Sequence, residues 1–598
     1  MRKKLLLLFA FMTVFLSNSF AQSDDYLCFT AEEPNATVSF IAPERITMEI
    51  SNDKKTWKTY TLHSVVNLDK KGDKVYFRTA SDKPLKEFST EWQTCRFELG
   101  DALVAASGNV MSLLDKTCAL TSLEGMDYAF RRLFADCKSL TTAPKLPATI
   151  LSAYCYCAMF CDCYELRNAP ELPATKMEES CYQAMFAGCE RLVKAVDLPS
   201  TDLAEQCYYR MFEDCRLITD SPKLPAKKLA KGCYISMFEN CSSLENVNAI
   251  SAETLAEECC ASMFDDCISL VKAPKLPAMK LAENCYNQMF AGCNNLKEAP
   301  ELPATTLKVD CYYMMFKGCC RLEKAPALPA KKMEICCYFD MFAGCWSLKE
   351  TPELPATSLD ESCYYGMFRD CTGLRSASKL PAKRIVSNAY EQMFIGCTGL
   401  ETAPEIMAEH AESYACVSMF SGCTSLKKVP DFHTKTLGFD CYAEMFKQCS
   451  SLRVPPALPA TTVEWNCYRE MFASSGLTTL PKLPAKKLIT GCYRDMFRDC
   501  RGLIINTEAP GKKWSIAKGT SDESADSWNS DMFNGTGGNF TDNPQIGVTY
   551  YIFSDNETTG ISSVKTDNDK QPVKVVDKGK ILIVNGNKKY TVSGLDTE

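Results

Sequence analysis

The sequence predicts a repeat solenoid, each unit of 26 residues holding a short extended segment and a short helix, set between a β-rich N-terminal domain and a small C-terminal β module. Three observations predict it. A Met-Phe dipeptide begins at 159, 185, 211, 237, 263, 289, 315, 341, 367, 393, 419, 445 and 471, always 26 residues after the last. Leu133-Phe134 carries the series backward and Met496-Phe497 carries it forward after one deletion, giving fifteen units. Each unit is too small to bury its own apolar side, so stacking on like units must supply the core.

The unit from Cys285 reads CYNQMFAGCNNLKEAPELPATTLKVD. Cys285, Met289 and Cys293 fall at i, i+4 and i+8, one face of a short helix, with Tyr286 and Phe290 as a second apolar pair beside them. Gly292 is placed to end that helix. Leu296, Ala299 and Leu302 then punctuate an extended segment in which Pro300 and Pro303 forbid helix, and Leu307 is the last apolar anchor.

The phrases CYxxMFxGCxxL and LxxAPxLPATxL resemble the leucine-rich repeats of the bacterial surface antigen (BspA-like) family, and the Met-Phe-rich repeats of mycoplasma and lactobacillus surface lipoproteins. The resemblance spans about two-thirds of the chain and implies an extracellular, horseshoe- or rod-shaped protein used for adhesion and partner binding. The solenoid expected here is therefore leucine-rich-repeat-like. It departs from the common repeat in one respect: proline interrupts the segment after the cysteine, where the common repeat has an unbroken strand.

The flanks differ in kind. Residues 1–21 read as a signal peptide: Arg2, Lys3 and Lys4 precede an apolar run from Leu5 to Leu16, and Ser19-Phe20-Ala21 supplies small residues for cleavage before Gln22. Residues 22–107 predict a β-rich, sandwich-like domain, with strand-like segments at Thr37–Ile41, Ile46–Ile50, Trp57–Leu62 and Lys74–Arg78 and a turn at Ser51-Asn52-Asp53-Lys54. The repeats occupy 108–507, and 508–559 is a cap and linker with a last Met532-Phe533 echo. Residues 560–598 read as a β-rich tail in which Ile581–Val584, Asn585-Gly586 and Tyr590–Val592 form a hairpin. That layout resembles the C-terminal (type IX) sorting segments of Bacteroides-type bacteria.

Thirty-five cysteines in an exported chain ordinarily suggest a disulfide scaffold. Their places argue otherwise. Fourteen stand four residues after the Met (or Leu133) and twelve stand four before it. The two in one unit lie about 12 Å apart along a helix, too far to bridge, and equivalent cysteines of stacked units point in parallel. The expected role is a ladder of small buried hydrophobes, with Ala389 and Ser475 as substitutes and with Cys28, Cys95 and Cys118 off register.

Net charge is −7, with 67 basic and 74 acidic residues interspersed, so no basic field tracks a nucleic-acid backbone. No stretch after the leader is apolar enough to span a bilayer. The chain has no phosphate-binding GxxxxGK[ST] or GxGxxG loop, and no cofactor is expected. The cluster Cys155, Cys157, Cys161 and Cys163 lacks a nearby histidine, and its outer two cysteines already belong to the ladder, so no metal is expected either. His63, His410 and His433 lie at unrelated places, and none is marked as a catalytic base, so the chain is not expected to be an enzyme. The LPAT phrases recur inside repeats without a following glycine, unlike a sortase signal.

One variable place, 12 residues after each Met, carries Glu171, Asp197, Lys223, Lys275, Glu301, Glu353, Lys379, Glu405 and Asp431, with gaps at Ala249, Ala327 and Ala457. On stacked units these form a ribbon of charge blocks, either a solubilising face or a recognition strip. The function expected is that of a secreted or cell-surface protein binding a macromolecular partner, a host protein or glycan, through the repeats. The alternatives are an envelope spacer without a ligand, and a secreted hydrolase with its site in the N-terminal domain.

Overall fold

The computed structural model describes residues 25–524 and 527–553, together with strands Val573–Asp577, Lys580–Asn585 and Lys588–Thr591. The expected leader lies outside the described residues. The chain divides into two compact units, residues 1–400 with 404–406, and residues 401–403 with 407–598.

The first unit begins with β1 (Leu27–Ala31), β2 (Ala36–Ile41), β3 (Met48–Ser51), β4 (Lys58–Thr59), β5 (Val65–Leu68), β6 (Lys74–Thr79), β7 (Arg96–Leu99) and β8 (Val104–Ser107). Along β6, Val75, Phe77 and Thr79 are buried while Lys74 is exposed and Tyr76 and Arg78 are half-buried, the period-2 alternation of a strand with one face on a core. One sheet has the order β4-β3-β6-β1-β8, continued by Leu140–Thr142, and the other β5-β2-β7. Phe40 of β2 meets Phe77 of β6 and Phe97 of β7 with ring centroids 6.5 and 4.8 Å apart, so aromatic side chains fill the space between the sheets. The strand β9 (Leu140–Thr142) belongs to the first repeat and pairs in parallel with β8, so the sheet continues into the repeats.

The repeats contain no α-helix among the described residues, and the helix expected over Cys285–Cys293 is not formed. A ladder of consecutive turns stands in its place. In the unit at Ser180–Cys189, the N–H groups of Cys181, Gln183, Met185, Ala187 and Cys189 donate to the carbonyl three residues back. The N–H groups of Ser180, Tyr182, Ala184, Phe186 and Gly188 donate instead to the next unit, at Glu205, Cys207, Tyr209, Met211 and Glu213. Every backbone N–H is thereby used, alternately within its own unit and across to the next. Closing a turn every four residues requires a left-handed residue at each fourth place: Ser180 (φ 50°), Ala184 (φ 50°) and Gly188 (φ 74°) in this unit. No Val, Ile or Thr occupies such a place among the described residues, in line with the cost of that conformation for branched side chains.

Four-residue turns put Cys, Tyr, Met and Phe inward in pairs. Tyr156, Tyr182, Tyr208 and Tyr234 are 1% exposed and stack with centroids 5.8–6.0 Å apart. Phe134 and Phe160 stack at 5.3 Å with planes 3° apart, and the series continues through Phe394 in this unit. Cys260, off register in the sequence, stands in the tyrosine row.

All 35 cysteines are free thiols. The cysteines after the Met do more than fill space. Cys163, Cys189, Cys215 and Cys293 each donate from Sγ to a phenylalanine carbonyl of the preceding unit at 3.1–3.2 Å. Burial pushes the thiols up, Cys155 to about 12, so they stay protonated and able to donate.

The N-terminal sheets supply the first rung of this ladder. Phe97 N–H donates to Leu133 O at 2.7 Å, Cys137 Sγ donates to Phe97 O at 3.3 Å, and the Phe97 and Phe134 rings stack at 5.4 Å. Phe97 thus occupies the place a repeat phenylalanine would hold.

In the second unit the same ladder runs through Met445, Met471 and Met496 and gains a rung beyond residue 507. Tyr493, Asp495, Phe497 and Asp499 donate N–H groups to Trp528, Ser530, Met532 and Asn534. Phe533 stacks on Phe497, and then Trp514 and Phe540 meet Phe533 edge-on, which ends the series. In the tail, Val573–Asp577 pairs antiparallel with Lys580–Asn585, and that strand pairs with Lys588–Thr591, forming the expected hairpin inside a three-stranded sheet.

Candidate binding surface

Counting the Met as 0, parallel bridges between neighbouring units fall at places +9, +13 and +17, as in Lys272↔Glu298, Leu224↔Ile250 and Lys228↔Thr254. The charged strip at +12 lies beside the middle row. All nine of its residues are exposed, Asp431 in the second unit and the rest in the first. Lys379 and Glu405 are brought into an ion pair at 3.0 Å, and Asp431 accepts the Ala457 N–H at 2.8 Å. Both groups of the pair are about half exposed, so it contributes little to stability.

Shallow grooves open along the strip. One is bounded by Glu171, Leu172 and Pro173 against Lys194, Asp197 and Pro199. Two more share the unit at Lys297–Pro303: one faces Lys272–Pro277 and the other faces Lys324–Pro329. Proline at +14 of both units lines all three, and proline at +11 as well lines the last two. Across the last two grooves all four such places are proline, among them Pro274, Pro277, Pro300 and Pro303. Proline has no N–H to give, and no +13 bridge forms there. Bridges at +13 form at Leu224↔Ile250, beside Asn248 and Ser251, and at Leu380↔Ile406, beside Ser378 and Met407. Each groove therefore offers open backbone, an apolar floor of Ala and Leu, and charged rims.

Other surface groups were not singled out by the sequence. Tyr313, Phe339 and Tyr365, half-buried, stack at 4.8 and 4.5 Å on the turn side, and the Arg369 guanidinium lies 5.5 Å from the Tyr365 ring. Their signal was an aromatic two places before three successive Met residues. Burial first, and then the charges of Asp266 and Glu239, push Asp265 up to about 7.

Cys163 donates to Phe134 O at 3.1 Å, and burial is the main cause that pushes Cys155 and Cys161 up to about 12. No group of three or more His, Cys, Asp or Glu among the described residues could hold a metal ion. All three histidines are exposed, and His410 Nδ1 shares a hydrogen bond of 2.7 Å with Thr436 Oγ1. No helix among the described residues is long and apolar enough to cross a membrane.

Stacked, hydrogen-bonded 26-residue units define a repeat protein. The BspA type leucine rich repeat region matches in six copies, over residues 157–297, 227–349 and 312–453, and supports the BspA-like leucine-rich-repeat family for this array. No curated protein matches the chain.

Proposed function

We propose that this protein is exported by its leader, is displayed at the cell surface or released, and binds a macromolecular partner, a host protein or glycan, along the +12 strip. The observation that carries the reading is the coincidence of the exposed charge row with proline-opened grooves at Glu171–Pro199, Lys272–Pro303 and Lys297–Pro329. Open backbone and charge at the same place give register and orientation to an extended ligand. The BspA-type repeats support a surface interaction role. The tail at 560–598 is read as a type IX sorting segment.

The test is binding of the chain from Gln22 onward to immobilised extracellular-matrix proteins, with Lys275→Glu and Glu301→Lys as variants. The expected result is binding weakened at least tenfold by either reversal. Equal binding by both variants rejects the strip. For export, fractionation of cells carrying a tagged copy is expected to place the protein outside the cytoplasm, and deletion of Gly560–Glu598 to trap it in the periplasm. Unchanged display after that deletion removes the sorting reading alone.

A further inference from the structure

Trp92 is 86% exposed, the highest value of any large apolar side chain among the described residues. It is nevertheless held on a pinned turn. Thr90 N–H donates to Gln93 O at 2.9 Å, and Gln93 N–H donates to Thr90 Oγ1 at 3.1 Å. The two sides are tied down by Arg45 Nη1 to Gln93 Oε1 at 2.6 Å and by Arg131 Nη1 to Glu91 O at 3.1 Å. An indole left in water on a fixed turn is a preorganised anchor: little freedom remains to be lost when a ligand covers it.

Arg131 leads to the second part of the site. Its guanidinium carbon lies 5.6 Å from the Tyr128 ring, and Tyr128 stacks on Tyr154 at 5.0 Å with planes 14° apart. Both tyrosines are left-handed, with φ of 61° and 57°, at a place where the next units carry Ser180, Gln206 and Gly232. The Tyr154 hydroxyl donates to Glu179 Oε1 at 2.7 Å. Two buried polar atoms here lack a hydrogen-bond partner: Arg131 Nε, and Ser180 Oγ, which sits close to the Tyr154 hydroxyl without closing a bond to it.

We propose that this seam, between the N-terminal sheets and the first repeats, is a carbohydrate-binding site in which Trp92, Tyr128 and Tyr154 supply ring surface and Glu91, Arg131 and Glu179 supply planar hydrogen-bonding groups. Sugar C–H faces are electropositive and pack on the negative faces of aromatic rings, while vicinal hydroxyls match the paired oxygens of a carboxylate and the fork of a guanidinium. Glu91, Asp127 and Glu179 lie around the tyrosine pair with Arg131 among them. The guanidinium and the exposed indole favour a polyhydroxyl ligand, and a cationic peptide drawn by the carboxylates is the competing outcome of the test. The inference does not rest on the strip.

The chain from Gln22 onward is applied to an array of neutral and sialylated oligosaccharides beside an array of lysine-rich peptides. Sugars that bind are titrated by tryptophan fluorescence. Trp92→Ala and Tyr154→Ser are each expected to weaken sugar binding at least tenfold. Neither is expected to lower Tm, since Trp92 touches solvent and serine is the residue the next unit carries. Lys275→Glu is expected to leave sugar binding unchanged, so loss of protein binding in that variant alone bears only on the strip. The proposal is overturned by absence of sugar binding at millimolar concentration, by sugar binding that both seam variants retain, or by Trp92-dependent capture of the peptides in place of sugars.

Discussion

Glycine at Ala158, Ala184, Ser236 and Ser262 is expected to stabilise the array, which is the opposite of what a helix would show. These residues have φ of 52°, 50°, 51° and 50° at equivalent places one before the Met. A residue with a Cβ loses roughly 1–2 kcal/mol in the left-handed conformation. Glycine relieves that loss, and its greater freedom in the unfolded chain takes back roughly 0.5–1 kcal/mol. The net gain is about 0.5 kcal/mol per site; Ala158 with Ala184, and Ser236 with Ser262, stand on adjacent units and couple, so about 2 kcal/mol is the upper limit for the four together. In a helix interior each such replacement would instead cost up to about 1 kcal/mol. Urea unfolding followed by far-ultraviolet circular dichroism reads the difference as a midpoint that rises. A midpoint lowered by an amount worth about 3 kcal/mol refutes the turn ladder. The control is Gly292→Ala: at φ 67° the added Cβ is strained and lies 3.2 Å from Asp266 Cα, so that variant is expected to lose stability.

Thiol counting after denaturation without reductant is expected to find the ladder cysteines free; mass mapping that joins them across units refutes this. Cys293→Ala removes a buried sulfur and its bond to Phe264 O, an expected loss of about 1–2 kcal/mol in urea, with Cys293→Ser losing less because the hydroxyl still donates. Phe97→Ala is expected to cost about 3–5 kcal/mol and to raise hydrogen exchange in the first repeats before the later ones, the buried ring being the surface on which Phe134 stacks. Asp265 has a folded pKa above its unfolded one, so the folded state holds the extra proton and stability falls as pH rises from about 4 to about 7. Asp265→Asn is expected to flatten that slope, a difference of roughly 1–2 kcal/mol at pH 8 after allowance for solvent screening, and an unchanged slope contradicts the shift.

Period, register and the identity of the core were legible in the sequence, because the buried residues are the invariant ones of each unit. The conformation of the CYxxMFxxC stretch was not, because i, i+4, i+8 spacing fits both a helix face and a row of four-residue turns. The discriminating signal lay in the places between. Asn284, Gln288 and Gly292 mark every fourth residue, and across the units those places favour Gly, Asn, Asp and Ser, admit Ala, Gln, Glu and a few larger side chains, and among the described residues hold no Val, Ile or Thr. A helix gains nothing from such a choice, whereas left-handed turns require it. The strip charges were legible as exposed, but the grooves depend on proline at the same places of two adjacent units. The seam at Trp92 was hidden because its members come from the N-terminal sheets and from separate repeats.

Phe97 presents to the first repeat the same N–H, the same carbonyl and the same ring face that every later phenylalanine presents to its successor. The starting surface is therefore generic: any unit of this kind fits on it, and any such unit fits on any other. Gain or loss of a whole 26-residue segment would bring the same phenylalanine row and the same turn hydrogen bonds together at the new junction. What such events change is the order of side chains at the strip, so the same gene rearrangement that preserves the fold rewrites the surface it displays.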